Sequence, residues 1–262
     1  MSNIKKVAVI GTGVIGAGWI IRCLAHNKIV YAFDKDLRLK NKLLVEIKRT
    51  WPYVKKLFNK KNINLKNFKY FTSLEETVKN ADFIQECATE NYVLKTKLMN
   101  IIGGYAKSNA IICSSSSGLL PTRIYSKCKK PERGMIGHPF NPVYLLPAVE
   151  IVPGKKTDKK YLNKANKFYK SISMNPIIVK HELPGYLSDR LQEALWREGL
   201  HIINEGHATT EDLDRAIEDG PGLRWSLMGT FLTFHLAGGK SGMKHMLEQF
   251  GPALKLPWTK LK

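Results

Sequence analysis

A glycine turn constrains this chain most. Gly11-Thr12-Gly13-Val14-Ile15-Gly16 follows a short apolar run over residues 4–10 and opens an apolar helix that reaches about residue 26. Such a run reads as a parallel strand covered on both faces. Gly11 permits the tight turn, Gly13 lets the backbone approach a pyrophosphate, and Gly16 lets the helix pack on the strand. From Gly13 through Val14, Ile15 and Gly16, the helix N-terminus offers unpaired amides and a positive dipole end to the phosphates. The three glycines alone are a weak signature. The second strand, residues 29–33, ends at Asp34, eighteen residues after Gly16, and completes the dinucleotide fingerprint. An acid at this place accepts hydrogen bonds from the adenosine ribose hydroxyls and repels a 2′-phosphate, which favours NAD over NADP. Lys35 and Arg38 are the neighbours that would accommodate such a phosphate.

The rest of the first part alternates in the same manner. A Lys-rich helix is expected over 36–60, and Ser73-Leu74-Glu75-Glu76 is a capping-box signature that opens a short helix. Strands are expected at 81–86 and 110–113, with a helix over 91–106 between them. Ser114, Ser115, Ser116, Ser117 and Gly118 form a polar turn at the carboxyl end of the latter strand, where open α/β sheets place their ligands. Strands near 133–138, 147–152 and 176–180 flank a helix over 158–171. The character changes at Leu183-Pro184-Gly185, and helices follow at 186–205, 209–218, 223–236 and 241–249. The expected class is α/β: a Rossmann-type doubly wound sheet over 1–183, then an all-α domain over 184–262.

Composition narrows the partners. Lys and Arg number 42 against 22 acids, a net charge of +20, so nucleic acid must be weighed. The lysines are spread over helical surfaces, and even the dense stretch from Lys55 to Lys61 reads as a solvated helix end. No nucleic-acid partner is expected. No apolar run reaches the roughly 20 residues of a membrane-spanning helix. Lys5 and Lys6 before residues 7–21 superficially resemble a signal peptide, but the glycines and Asp34 account for that stretch better. A cytoplasmic protein is expected. The four cysteines show no C-x-x-C pair and read as free thiols, and the seven histidines show no metal-ligand spacing, so no metal is expected.

The candidate chemistry lies further on. His138 sits in Gly137-His138-Pro139-Phe140-Asn141-Pro142, and Glu150 follows twelve residues later. A dehydrogenase needs a group to take the alcohol proton while hydride leaves, and imidazole exchanges a proton near neutral pH. A carboxylate on its other nitrogen would fix the tautomer and favour the protonated form. On these residues alone, His138 reads equally well as a structural histidine in a turn, and Glu150 as a strand-end residue.

Together with Glu90, Lys95, the serine turn and Pro184-Gly185, these motifs resemble the 3-hydroxyacyl-CoA dehydrogenase superfamily over essentially the whole chain. The resemblance implies a catalytic dyad at His138 and Glu150. It implies that Ser117 contacts the substrate oxygen and the nicotinamide, and that Glu90 and Lys95 border the nicotinamide ribose. It further implies a homodimer paired through the helical half. Within the superfamily the likeness is greatest to members that oxidise the 3-hydroxyl of L-carnitine to 3-dehydrocarnitine. It is carried by residues 114–121, 138–147, 193–198, Gly220-Pro221-Gly222-Leu223-Arg224-Trp225, 229–239 and 250–261. Gulonate dehydrogenases and lambda-crystallins share the plan but are less similar in these helices.

Two departures matter. The acyl-CoA enzymes carry asparagine where Ser188-Asp189-Arg190 places an acid, which suits a trimethylammonium substrate and also suits the first turn of a helix. The chain stops soon after residues 257–261, where family members usually continue, so a truncated C-terminal domain is an expectation. A quaternary ammonium cannot donate hydrogen bonds, so aromatic faces and a carboxylate should recognise it. Phe140 and Phe250 are the expected pocket walls, with Trp225 and Tyr144 as further candidates; taken singly, each reads more readily as core. The serine turn, Ser115 included, is expected to hold the substrate carboxylate, with Arg197 and Arg224 as alternatives. The rival enzymes are 3-hydroxyacyl-CoA and L-gulonate 3-dehydrogenases. The rival of another class is a silent structural or polyanion-binding protein.

Overall fold

In the computed structural model, residues 4–60 and 62–252 are described. The first apolar run becomes β1 (Lys6–Ile10), whose side chains alternate between two cores: Val7 and Val9 enter one, Ala8 and Ile10 the other. That period of two places a hydrophobic layer on each face of the sheet. The chain continues through α1 (Val14–Ala25), β2 (Ile29–Phe33), α2 (Leu39–Leu57), β3 (Phe68–Phe71) and α3 (Leu74–Val78). Then come β4 (Phe83–Glu86), α4 (Tyr92–Tyr105), β5 (Ile111–Ser114), α5 (Pro121–Ile124), β6 (Gly134–Pro139), β7 (Ala148–Pro153), α6 (Lys159–Ser171) and β8 (Asn175–Ile178).

The eight strands lie in the order β3-β2-β1-β4-β5-β6-β7-β8, every neighbouring pair parallel except β6 with β7. The order reverses beside β1, between β1 and β4, which opens the ligand crevice of a doubly wound sheet at their carboxyl ends. Gly11 is held at φ 96° by this turn, and a Cβ there would lie 2.8 Å from the Cys87 carbonyl oxygen. A Cβ on Gly16 would collide with the carbonyl oxygen of Gly11, so α1 seats only a glycine against the strand.

By contacts the chain divides into Met1–Asp189 and Arg190–Lys262. The second unit holds most of α7 (Ser188–Asn204), then α8 (Thr210–Glu218), α9 (Pro221–Trp225), α10 (Thr230–Ala237) and α11 (Gly242–Phe250). Thr209 caps α8 in a reciprocal box with Asp212. Among the described residues no helix is long and apolar enough to cross a membrane. The likeness noted at residues 257–261 lies outside the described residues.

Two elements depart from expectation. β3 has no counterpart in the sequence reading: it is a four-residue edge strand of half-buried aromatics around an exposed lysine. The helix expected over 223–236 is two helices, because Ser226 turns its hydroxyl onto the Leu223 carbonyl and Gly229 turns extended to start α10.

Candidate active site

The cofactor crevice is built first. The Gly11 amide donates to the Phe33 carbonyl (2.8 Å), which seats the glycine turn against the end of β2. Asp34 Oδ2 accepts from the Thr12 amide and the Thr12 hydroxyl, both at 3.0 Å, so the turn itself orients the carboxylate. No side chain caps α1, and nothing lies within 4 Å of a Cβ built on Gly13. Uncapped amides beside open space fit a pyrophosphate. Val14 is 71 % exposed at the start of α1, while Ile15 packs partly on the core. Arg38 is held by Asp36 through Nε at 2.9 and 3.0 Å and through an ion pair at 2.8 Å. The basic side chain best able to welcome a 2′-phosphate therefore has an acidic partner.

The serine turn rests on a buried ion pair that the sequence reading missed. Glu86, at the end of β4, and Lys95, on α4, are 0 and 1 % exposed and meet at 2.9 Å. Lys95 Nζ also donates to the second Glu86 oxygen (3.1 Å) and the Ala88 carbonyl (2.9 Å), and lies 3.5 Å from Glu90 Oε2. Glu86 further accepts from the Ser114 hydroxyl (2.5 Å) and the Ala88 amide (2.6 Å). A buried carboxylate demands such a partner, and the Lys95 ammonium faces Glu86 instead of lying open at the surface. Glu90 Oε1 gathers the Ser116 hydroxyl (2.5 Å) and the amides of Ser117 (3.1 Å) and Gly118 (3.3 Å). The Ser117 backbone is thereby fixed while the residue remains exposed.

Ser115 is bound from within the protein. Its hydroxyl accepts from the Trp19 indole (3.1 Å) and the Gln85 amide (2.7 Å), and Cys87 Sγ lies 3.2 Å away. Both lone pairs are spent inside the protein, so Ser115 anchors the turn from beneath, and its O–H proton is what it would donate to a substrate carboxylate.

His138 and Glu150 are direct cross-strand partners in the antiparallel pairing of β6 with β7, which is what their spacing means. His138 Nδ1 lies 3.0 Å from Glu150 Oε2. Glu150 Oε1 accepts the amides of Leu187 (3.0 Å) and Ser188 (3.1 Å) at the start of α7. Ser188 thus contributes its backbone. With Nδ1–H donated to the carboxylate, the neutral ring presents Nε2 as an acceptor. Asp189 Oδ1 stands 3.8 Å from that Nε2, with its side chain 25 % exposed.

Half-buried Phe140 and buried Tyr186 flank the imidazole, their ring centroids 5.2 and 5.7 Å away. Tyr186 was not anticipated; its hydroxyl donates to the Leu119 carbonyl (2.6 Å), and burial pushes its phenol far up. The buried Arg22 guanidinium donates to the Val143 (2.7 Å) and Leu146 (3.1 Å) carbonyls, gripping the segment after Phe140. Tyr144 packs partly on the core. Trp225 and Phe250 end α9 and α11 in the second unit. All four cysteines are free; burial pushes Cys23, Cys87 and Cys113 up to about 12 and Cys128 to about 11, so they stay protonated thiols.

Burial pushes the Glu150 carboxyl up, but the His138 ring and the two amides pull harder and leave it below its ordinary 4.5. A folded-state value below the unfolded one contributes stability that is full above about 4.5 and is lost as pH falls through the lowered value. Glu150→Gln should therefore melt lower than the parent at pH 7, with the gap narrowing below pH 4.5. A gap independent of pH in thermal melts would contradict this.

Comparisons with known proteins follow the same lines. Residues 6–182 match the family described as 3-hydroxyacyl-CoA dehydrogenase, NAD binding domain, and residues 185–260 match its C-terminal domain. L-carnitine dehydrogenase of Oceanobacillus iheyensis is 52% identical over 258 residues, 98% of this chain and 84% of that protein. That of Pseudomonas putida is 49% identical over 261 residues, 100% of this chain and 81% of that protein. Among solved structures, an NAD+ dependent dismutase, FHMPC 5-dehydrogenase, shares the fold. Its TM-score is 0.89 at 23% identity, covering 99% of this chain and 83% of that one.

Proposed function

This chain belongs to the 3-hydroxyacyl-CoA dehydrogenase family, and from that membership we infer the NAD-dependent oxidation of the 3-hydroxyl of L-carnitine to 3-dehydrocarnitine. The observation that carries the chemistry is the His138–Glu150 pair, with Nδ1 bound at 3.0 Å and Nε2 left to accept. Substrate choice rests on the carnitine dehydrogenases that match along nearly the whole chain.

The residues divide the work. Ser117 holds the hydroxyl, His138 Nε2 takes its proton, and Glu150 offsets the charge gained by the imidazole. Bound NAD+ supplies the acceptor for the hydride leaving C3, held by the Gly11–Gly16 turn and Asp34, with Glu90 and Lys95 shaping the floor beside it. In carnitine the ammonium nitrogen is attached one carbon from the reacting carbon. A hydroxyl on Nε2 would therefore bring the cation close to Asp189, which lies 3.8 Å from that nitrogen, and to the Phe140 face. Phe250 is kept as a second wall on resemblance.

The test is a panel of NAD+-linked rates with L-carnitine, 3-hydroxybutyryl-CoA and L-gulonate. L-carnitine should lead by orders of magnitude, and a lead by either rival would overturn the assignment. Asp189→Asn should lower kcat/KM for carnitine about tenfold or more, yet leave 3-hydroxybutyrate, which lacks the cation, unharmed. Equal losses on both substrates would remove the cation role.

We further propose a cytoplasmic homodimer. Free thiols and NAD dependence suit the compartment. Leu191, Leu195, Trp196, Phe231 and Leu236 are exposed on the helices of the second unit, an apolar surface that a second copy would cover. Light scattering should give the mass of two chains, and a monomer would contradict the dimer.

A further inference from the structure

The pairing of β5 with β6 ends at Ser114 opposite Ile136, just where the crevice opens. One residue further on, the two chains are joined by a side chain instead. Gln85, on β4 and 1 % exposed, places its amide nitrogen 2.7 Å from Ser115 Oγ and 3.1 Å from the Gly137 carbonyl oxygen. Its carbonyl oxygen accepts the Tyr169 hydroxyl at 2.7 Å. A carbonyl can only accept, so the nitrogen must face Gly137, and the orientation of the amide is fixed. All of its donors and its oxygen are used. The neighbours are equally committed. Trp19 of the cofactor helix donates to the same Ser115 hydroxyl, and a Cβ on Gly137 would collide with the Tyr169 hydroxyl.

Ser115 and Gly137 do not act on the substrate hydroxyl themselves. They stand beside residues that do: Ser115 two before Ser117, and Gly137 immediately before His138. We propose that Gln85 is a positioning residue, a side-chain staple that sets the separation between the serine turn and the base after the backbone ladder has ended. The proposal rests on the reading above, in which Ser117 and His138 act on the same hydroxyl. A valine or leucine would fill the buried site without either link. A staple in this place acts on the approach of hydroxyl to base and leaves the pyrophosphate turn untouched.

The experiment is a double-mutant cycle on the full chain. Gln85→Met should lower kcat for carnitine oxidation about tenfold to a hundredfold, the scale of a misplaced reacting group, with the Kd for NAD+ within about twofold of the parent. In a Ser117→Ala background the additional loss should shrink to below about twofold, because there is no longer a held hydroxyl to misplace. A merely structural role gives the same fold-loss in both backgrounds, and that result overturns the proposal, as does an unchanged kcat. Should Gln85→Met fail to fold, Gln85→Leu removes the donors to Ser115 and Gly137 without burying a charge, and is carried through the same cycle. Parental turnover in Ser117→Ala alone would overturn the reading of Ser117 instead, and is distinguishable from either result at Gln85.

Discussion

His138→Gln should lower kcat for carnitine oxidation by about 10²–10⁴-fold, the usual share of a positioned general base, while NAD+ binds as before. The variant isolates proton abstraction because the imidazole is held at one side only by Glu150, and the cofactor turn is built from other elements. Glutamine is close in volume and can still donate toward Glu150, yet it offers no nitrogen lone pair to take a proton. Turnover read from NADH absorbance and Kd read from quenching of protein fluorescence separate the two effects. Near-parental turnover in a folded variant would remove His138 as the base. Equal loss of NAD+ binding would make it a structural residue.

The second large effect concerns stability. Lys95→Met strands Glu86, which is 0 % exposed and loses contacts at 2.9 and 3.1 Å. Breaking a buried pair from one side costs about 3–5 kcal/mol, measurable by urea unfolding of the parent and variant. Removing both charges in Lys95→Met/Glu86→Leu should recover much of that loss, since the penalty comes from the charge left alone. A single-variant loss below about 1 kcal/mol would place Lys95 among ordinary surface pairs. The serine turn should suffer with the pair, because Glu86 also accepts from Ser114 and Lys95 lies beside Glu90.

What could be read from the chain follows from how local each determinant is. The glycine turn was legible because its three glycines answer to the turn, the ligand and the strand within six residues. The His138–Glu150 spacing suggested a pair, but only the register of β6 against β7 sets them face to face. The partners of Lys95 and Ser115 were hidden for one reason: Glu86 and Gln85 look like interior residues of a strand until the sheet is assembled. Tyr186 was hidden in the same way. It reaches the imidazole after the chain has crossed the end of the sheet, and nothing near it in sequence announces an active site. The short edge strand β3 and the break before Gly229 were lost to weak local signals.

The decisive measurement incubates the purified chain with NAD+ and L-carnitine and follows both products at once, NADH by absorbance and 3-dehydrocarnitine by mass. Both should appear in equal amounts, counting the ketone left where this β-keto acid loses CO2, and both should be abolished in His138→Gln. A chain that binds NAD+ but yields neither product from L-carnitine would contradict the proposed function.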